Sequence, residues 1–352
     1  MRSATLKATL KAMYETEQKR AVCIEGPPGG GKTTIVREVA AELRPQYETM
    51  TTKMVGDKEV EIVPGFGYIE MHMPTMLVED FGILFPQANS DTLHYKLPDW
   101  FPVKGKAPEH GIMCFDDRNQ SSADLQKVLA NIIQAGTLHG VEMPDSWMVI
   151  STGNRQSDRA GSNRVLSHLR DRETVLEYET HLDDWTGWAI DHGVRPEVIS
   201  FIRFRVGLLH DFDPQRDKNP TPRGWVEGVS PIIGNVPSDA EFECFKGAVG
   251  EGPAAEFTGY LKIFRKLPNV DNILLNPTTV PVPTDPATLY ALSGSLAAKA
   301  TDANMERVCT FCERMPPEFS VLTITYAARR DKALSDTAAF AKWSVKHQDV
   351  LF

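Results

Sequence analysis

Between Gly26 and Thr33 the chain reads Gly-Pro-Pro-Gly-Gly-Gly-Lys-Thr, which sets four glycines ahead of one ammonium and one hydroxyl. Gly26, Gly29, Gly30 and Gly31 let the backbone curl with its N–H groups pointing inward, and a helix starting there adds the positive end of its dipole. That geometry suits a polyphosphate. Lys32 can reach the β- and γ-phosphates, and the Thr33 hydroxyl can ligate Mg²⁺. The spacing G-x-x-x-x-G-K-[ST] therefore reads as a nucleoside triphosphate loop, with Pro27, Pro28 and Thr34 completing its set of contacts.

A phosphate loop of this kind joins a strand to a helix. Ala21-Val-Cys-Ile24 is short, apolar and partly β-branched, as a buried parallel strand should be, and Ile35, Val36, Val39, Ala40 and Leu43 follow at helical spacing. Gly111-Ile-Met-Cys-Phe115 predicts a further strand, ending in Asp116 and Asp117. A carboxylate at that end faces the metal beside the phosphates, so Asp116 would hold Mg²⁺ through water. Asp117 would orient and polarise the attacking water, a role usually given to a glutamate, and its shorter reach leaves slow hydrolysis open. Trp147–Thr152 predicts another strand, running into Ser151-Thr-Gly-Asn-Arg155, where Asn154 would sit between the acidic pair and the γ-phosphate.

Strands are also predicted at Tyr68–Met73 and Val175–Glu179, with a helix over Ser122–Ala135. Strands alternating with helices imply an α/β fold whose parallel sheet is covered on both faces. Pro74–Pro102 shows no regular pattern. From Leu182 onward the pattern is mostly helical, and the proline-rich Asn276–Pro286 marks entry to a C-terminal helical unit.

The 352 residues exceed the usual limit of one core, so two or three packed units are expected. Leu6, Leu10, Met13 and Tyr14 share one helical face near the start, in place of the apolar core of a signal peptide, and no stretch approaches a membrane span. A cytoplasmic location is the expectation, and five cysteines argue against a disulfide framework. Cys309 and Cys312 lie on an amphipathic helical stretch with no second pair to complete a zinc site, and are expected in the core. Nine histidines form no H-x-x-x-H pair, which predicts no catalytic transition metal and leaves His72 as a packed or edge residue. The net charge of −9 disfavours nucleic acid as a partner.

In order, the segments G-P-P-G-G-G-K-T, C-F-D-D-R-N, S-T-G-N-R, L-S-H-L-R-D-R and T-P-R-G-W resemble those of an AAA+ ATPase. Within that superfamily the pattern is most similar to the MoxR-like branch, whose members carry a helical insertion before the acidic strand. Val78-Glu-Asp-Phe-Gly82 and Leu97-Pro-Asp-Trp-Phe-Pro102 are similar to segments found there.

The resemblance, which spans roughly residues 20–230, implies an AAA+ αβα core over 1–182 with an insertion at about 68–102, an α-helical lid over 183–275 and a C-terminal helical region over 276–352. It further implies a Mg²⁺-dependent ATPase that forms a ring, usually a hexamer, with ATP at each subunit interface. An arginine from the neighbouring subunit would stabilise charge on the transferring phosphoryl group. Arg172 matches that position, with Arg170 as second candidate, and Glu173 stands where the family usually has Phe. Arg223 follows Thr221 and Pro222, which suit a helix start, and the resemblance makes it the lid arginine that contacts the γ-phosphate. Trp225, Trp185 and Trp188 are expected in the lid core. The implied work is remodelling of a protein partner, in several relatives one with a von Willebrand factor A domain. A nucleic-acid translocase or loader, and a weakly hydrolysing ATP-dependent scaffold, are the alternatives.

Overall fold

A computed structural model describes residues 1–87, 91–155 and 167–347; Leu166 and the side chains of Ser167 and His168, within the arginine-bearing motif, fall outside that description. The chain divides into two compact units, Met1–Thr180 and His181–Phe352.

In the first unit, α1 (Ser3–Glu15) buries Leu6, Leu10 and Tyr14, spaced by one turn, against α2 (Lys32–Tyr47) and the sheet. Ahead of α2 lies β1 (Ala21–Glu25). After it come a hairpin of β2 (Thr52–Val55) and β3 (Lys58–Glu61), then β4 (Phe66–His72). A second hairpin pairs β5 (Ile83–Pro86) with β6 (Leu93–Lys96). Next are β7 (His110–Asp116), α3 (Ala123–Ala135), the short β8 (Thr137–Leu138) and β9 (Val141–Glu142), β10 (Ser146–Gly153), α4 (Ser167–Arg170) and β11 (Glu173–Glu177).

Five of these strands form one parallel sheet in the order β11-β1-β10-β7-β4. Its strands alternate strictly between two cores. Val22, Ile24, Ile112, Cys114, Met148 and Ile150 pack with α1 and α2, while Ala21, Met113, Phe115 and Val149 pack with α3. Coverage on both faces explains why the strands read as continuous apolar runs. With β1 between β10 and β11, the loop from Gly26 opens at the carboxyl ends of the strands, where ligands of open α/β sheets bind.

Several segments differ from the sequence expectations. The strand expected at Tyr68–Met73 starts two residues earlier and ends at His72, so residues 68–72, expected at the start of an insertion, belong to the parallel sheet. The strand expected at Val175–Glu179 occupies Glu173–Glu177. Where the resemblance implied a helical insertion, the described residues hold 3₁₀ turns at Met73–Thr75 and Val78–Phe81, then the β5–β6 hairpin, and no α-helix. Pro74 and a left-handed Gly82, at φ 138°, stop helical propagation, and the aromatic and branched residues that follow favour pairing as strands. The β8–β9 hairpin turns on His139 and Gly140, both at positive φ, as a two-residue turn of this hand requires.

The second unit is helical, with α5 (Leu182–Asp191), α6 (Pro196–Phe204), a π-helical turn at Gly224–Val229, α7 (Glu241–Val249), α8 (Glu251–Arg265), α9 (Val270–Leu275), α10 (Pro286–Lys299), α11 (Met305–Cys312), α12 (Pro317–Arg330) and α13 (Ala338–Lys346). The segments 183–275 and 276–352 share one core, in which Trp225, Phe257, Leu292 and Phe311 all contribute. Trp185 is buried there too, and Trp188 packs against it half-buried. Cys309 and Cys312 point into this core as free thiols. No described helix is long and apolar enough to cross a membrane.

Candidate functional site

The glycine-rich loop is shaped by its neighbours as well as by its own residues. Gly29 and Gly31 sit at φ 70° and 93°, open to glycine at little cost. Gly26 lies so close to the strand beside it that a Cβ would stand 2.8 Å from the Tyr178 carbonyl oxygen. Tyr178 also donates its hydroxyl to the Gly30 carbonyl at 2.9 Å, so one side chain braces both ends of the loop. The Gly26 amide donates to the Gly153 carbonyl at 3.2 Å and thereby joins the turn after β1 to the end of β10.

Lys32 is only 6% exposed, and its ammonium donates at 3.0 Å to each of the Gly26 carbonyl, the Pro27 carbonyl and Asn154 Oδ1. The charge is held above the loop, where phosphate oxygens would compete with those carbonyls. Asn154 is itself fixed, because Asn119 donates its amide to the Asn154 carbonyl and accepts from the Asn154 N–H at 3.3 Å.

Asp116 is the meeting point of three elements. Its Oδ1 accepts from the Thr33 hydroxyl on α2 and from Thr152 Oγ1 on β10, the latter at 2.7 Å. Its Oδ2 lies 3.3 Å from His72 Nδ1 on β4, directly opposite in the strand register. Burial pushes the carboxyl up, but hydrogen bonds from Thr33, Thr152 and His72 outweigh it and hold Asp116 below the usual carboxylate range. The convergence of a hydroxyl and an ionised carboxylate fits a hard cation such as Mg²⁺, which takes few protein oxygens beside phosphate and water. Ligand atoms of His72, Asp116 and Asp117 lie within 4.8 Å of one another. His72, expected as a packed or edge residue, lies half-exposed on the edge strand β4 and in addition joins this acidic cluster.

Asp117 adopts the left-handed conformation, φ 51° and ψ 39°, and its N–H donates to Thr152 Oγ1 at 3.0 Å. Thr152 therefore serves both acids at once, accepting from one backbone and donating to the other carboxylate. The sequence named Asp117 and Asn154 but gave no sign of Thr152, Asn119 or Tyr178, whose roles depend on which strands lie side by side.

The two candidate interface arginines differ in their surroundings. Arg170, at the end of α4, pairs with Glu25 at 2.8 Å, the residue immediately before the glycine-rich loop. Arg172 follows in the turn to β11, its N–H donating to the Leu169 carbonyl at 3.0 Å. Arg223 belongs to the second unit, where it precedes the π-helical turn; Thr221 Oγ1 accepts from the Gly224 N–H at 3.1 Å, as the capping expectation required.

Residues 21–172, which hold the loop, the acidic strand and Asn154, match the family described as the AAA domain of the dynein-related subfamily. The first unit is a P-loop AAA fold. The match supports an AAA+ ATPase and nucleotide binding for this AAA domain. No curated protein matches the chain. Among solved structures, NtrX from Brucella abortus is 14% identical, with 98% of this chain and 67% of that one covered at a TM-score of 0.34. A mutant RuvB from Thermotoga maritima is 15% identical, with 83% of this chain and 80% of that one covered at a TM-score of 0.38. Likenesses this distant add nothing to the AAA assignment.

Proposed function

We propose that the AAA domain binds Mg²⁺ and ATP and hydrolyses the γ-phosphoryl group, that ATP sits between identical subunits of a ring, and that the work done is remodelling of a protein partner. The observation that carries the reading is the convergence on Asp116: Thr33 from the phosphate loop and Thr152 from β10 both donate to its Oδ1, while Lys32 reaches Asn154 beside them at 3.0 Å. That grouping of lysine, hydroxyl and carboxylate supports the reading of a polyphosphate laid along the loop. Thr33 and Asp116 would hold Mg²⁺, which would supply positive charge against the phosphates. Lys32 would exchange its loop carbonyls for phosphate oxygens. Asp117 would orient the attacking water, and Asn154 would face the γ-phosphate from the end of β10. Arg172, with Arg170 as second candidate, would complete the site of the neighbouring subunit, and Arg223 would report the state of the nucleotide to the helical unit. The net charge of −9 favours a protein partner over nucleic acid, and a cytoplasmic setting fits the five free cysteines.

Steady-state ATPase assays on the full chain test this. Lys32→Ala and Asp117→Asn should each abolish most turnover, with Asp117→Asn still binding ATP. Tight ATP binding without turnover in the unaltered chain would instead favour the scaffold reading.

A further inference from the structure

Arg118 and Glu173 form an ion pair in the interior of the AAA domain, their side chains 2% and 0% exposed. Arg118 directly follows Asp117, and Glu173 directly follows Arg172, so each partner adjoins a residue of the proposed site. Strands β10 and β1 lie between β7 and β11 in the sheet, and the pair reaches across both. On the way, Arg118 Nη2 donates to Cys23 Sγ on β1 at 3.3 Å, and Ser151 Oγ on β10 donates to Glu173 Oε1 at 2.9 Å. Burial pushes the Cys23 thiol up to about 12, so it meets the guanidinium as a neutral acceptor.

A buried pair of this kind seldom earns its place through stability. Desolvating each ion costs several kcal/mol, and well-packed apolar replacements are often neutral or better. What the pair does supply is direction. Arg118 opens the 3₁₀ turn Arg118–Gln120, whose next residue, Asn119, grips the Asn154 backbone, while Asn154 accepts from Lys32. Polar contacts thus run from the phosphate-loop lysine through Asn154 and Asn119 to the turn bearing Asp117, and from Arg118 in that turn to Glu173, the residue after Arg172.

We propose that Arg118 and Glu173 are positioning residues that hold the Asp117 turn and the Arg170–Arg172 segment in one fixed geometry. The proposal rests on the hydrolysis reading above. Separating the partners would strand a charge in the interior, so the two segments keep their relation to one another. An apolar pair fills the same space without imposing that relation.

The test compares the full chain with Arg118→Met, Glu173→Met and the double variant, reading the urea midpoint, the Kd for a fluorescent non-hydrolysable ATP analogue, and kcat. Each single variant should unfold at lower urea. The double variant should recover the midpoint and the Kd but keep a kcat about tenfold or more below the original, since misplacing reacting groups costs rate rather than binding. A double variant with unaltered kcat overturns the proposal, as does a Kd that worsens in step with kcat. Should the double variant fail to fold, Glu173→Gln, which keeps the shape and removes the charge, decides: a several-fold lower kcat at unchanged Kd supports the proposal, and an unchanged kcat overturns it. An unaltered chain that binds ATP without turnover defeats the hydrolysis reading and this proposal together; turnover equal in that chain and the double variant defeats this proposal alone.

Discussion

Lys32 Nζ donates to Asn154 Oδ1 at 3.0 Å across 122 positions of sequence, which makes the phosphate loop and the end of β10 a single polar surface. Their losses should differ in kind. Hydrogen bonds to a charged group are worth about 1.5–3 kcal/mol, so Lys32→Ala should weaken nucleotide affinity by roughly ten- to a hundredfold. Asn154→Ala should leave affinity within a few-fold and lower kcat by about a hundredfold, the scale on which one polar group facing developing charge acts. Titration with a fluorescent nucleotide beside steady-state ATPase separates the two; equal losses of affinity would contradict the assignment of Asn154.

The arginines should separate by protein concentration. Arg172→Ala should abolish the rise of specific activity with concentration that a shared site produces, whereas Arg170→Ala, whose partner is Glu25 in the same chain, should retain it. Arg170 is 44% exposed, so losing its ion pair should cost under about 1 kcal/mol of stability. ATPase measured over a dilution series reads this directly, and full activity of Arg172→Ala at every concentration would remove the shared site.

Two glycines should respond to alanine with opposite signs. At Gly26 the new methyl would stand 2.8 Å from a backbone oxygen, so Gly26→Ala should lower the urea midpoint and nucleotide affinity together. Gly259 lies inside α8 with nothing within 4 Å of an added Cβ. Gly259→Ala should raise stability by about 0.5–1 kcal/mol, the gain in helix propensity. A loss at Gly259 would mean the helix does not tolerate the methyl there.

Acid should act in part through Glu70. Its carboxylate accepts from Arg37 Nε at 2.7 Å, and that hydrogen bond, resisted by burial and helped by Tyr68, holds it below the usual range. A carboxyl lowered on folding contributes stability above its unfolded pKa of about 4.3 and loses that contribution as pH falls through the folded value. The unaltered chain should therefore lose more of its urea midpoint between about pH 7 and pH 3 than Glu70→Gln does. Parallel pH profiles would assign the acid sensitivity elsewhere.

The parts of the site that rest on local spacing were legible in the sequence. Gly26–Thr33, the strand ending in Asp116 and the strand before Asn154 each announce themselves through neighbours a few positions away. Residues that matter through strand order were not legible. His72 reaches Asp116 because β4 pairs with β7 in register, and Arg118 meets Glu173 at a separation of 55 residues. Neither pairing leaves a periodic trace. The β5–β6 hairpin was hidden for a different reason: Ile83, Phe85, Leu93 and Tyr95 are all exposed, so no alternation of apolar and polar residues marks a buried face.

The left-handed backbone at Asp117 limits what an engineer or a mutation could put there. Asparagine and aspartate tolerate that conformation better than longer side chains, because their short polar groups bond locally. Swapping in the glutamate common at such positions would add reach and strain in the same step. A faster catalyst would have to be sought by rebuilding the turn from Asp117 to Gln120, not by lengthening one acid.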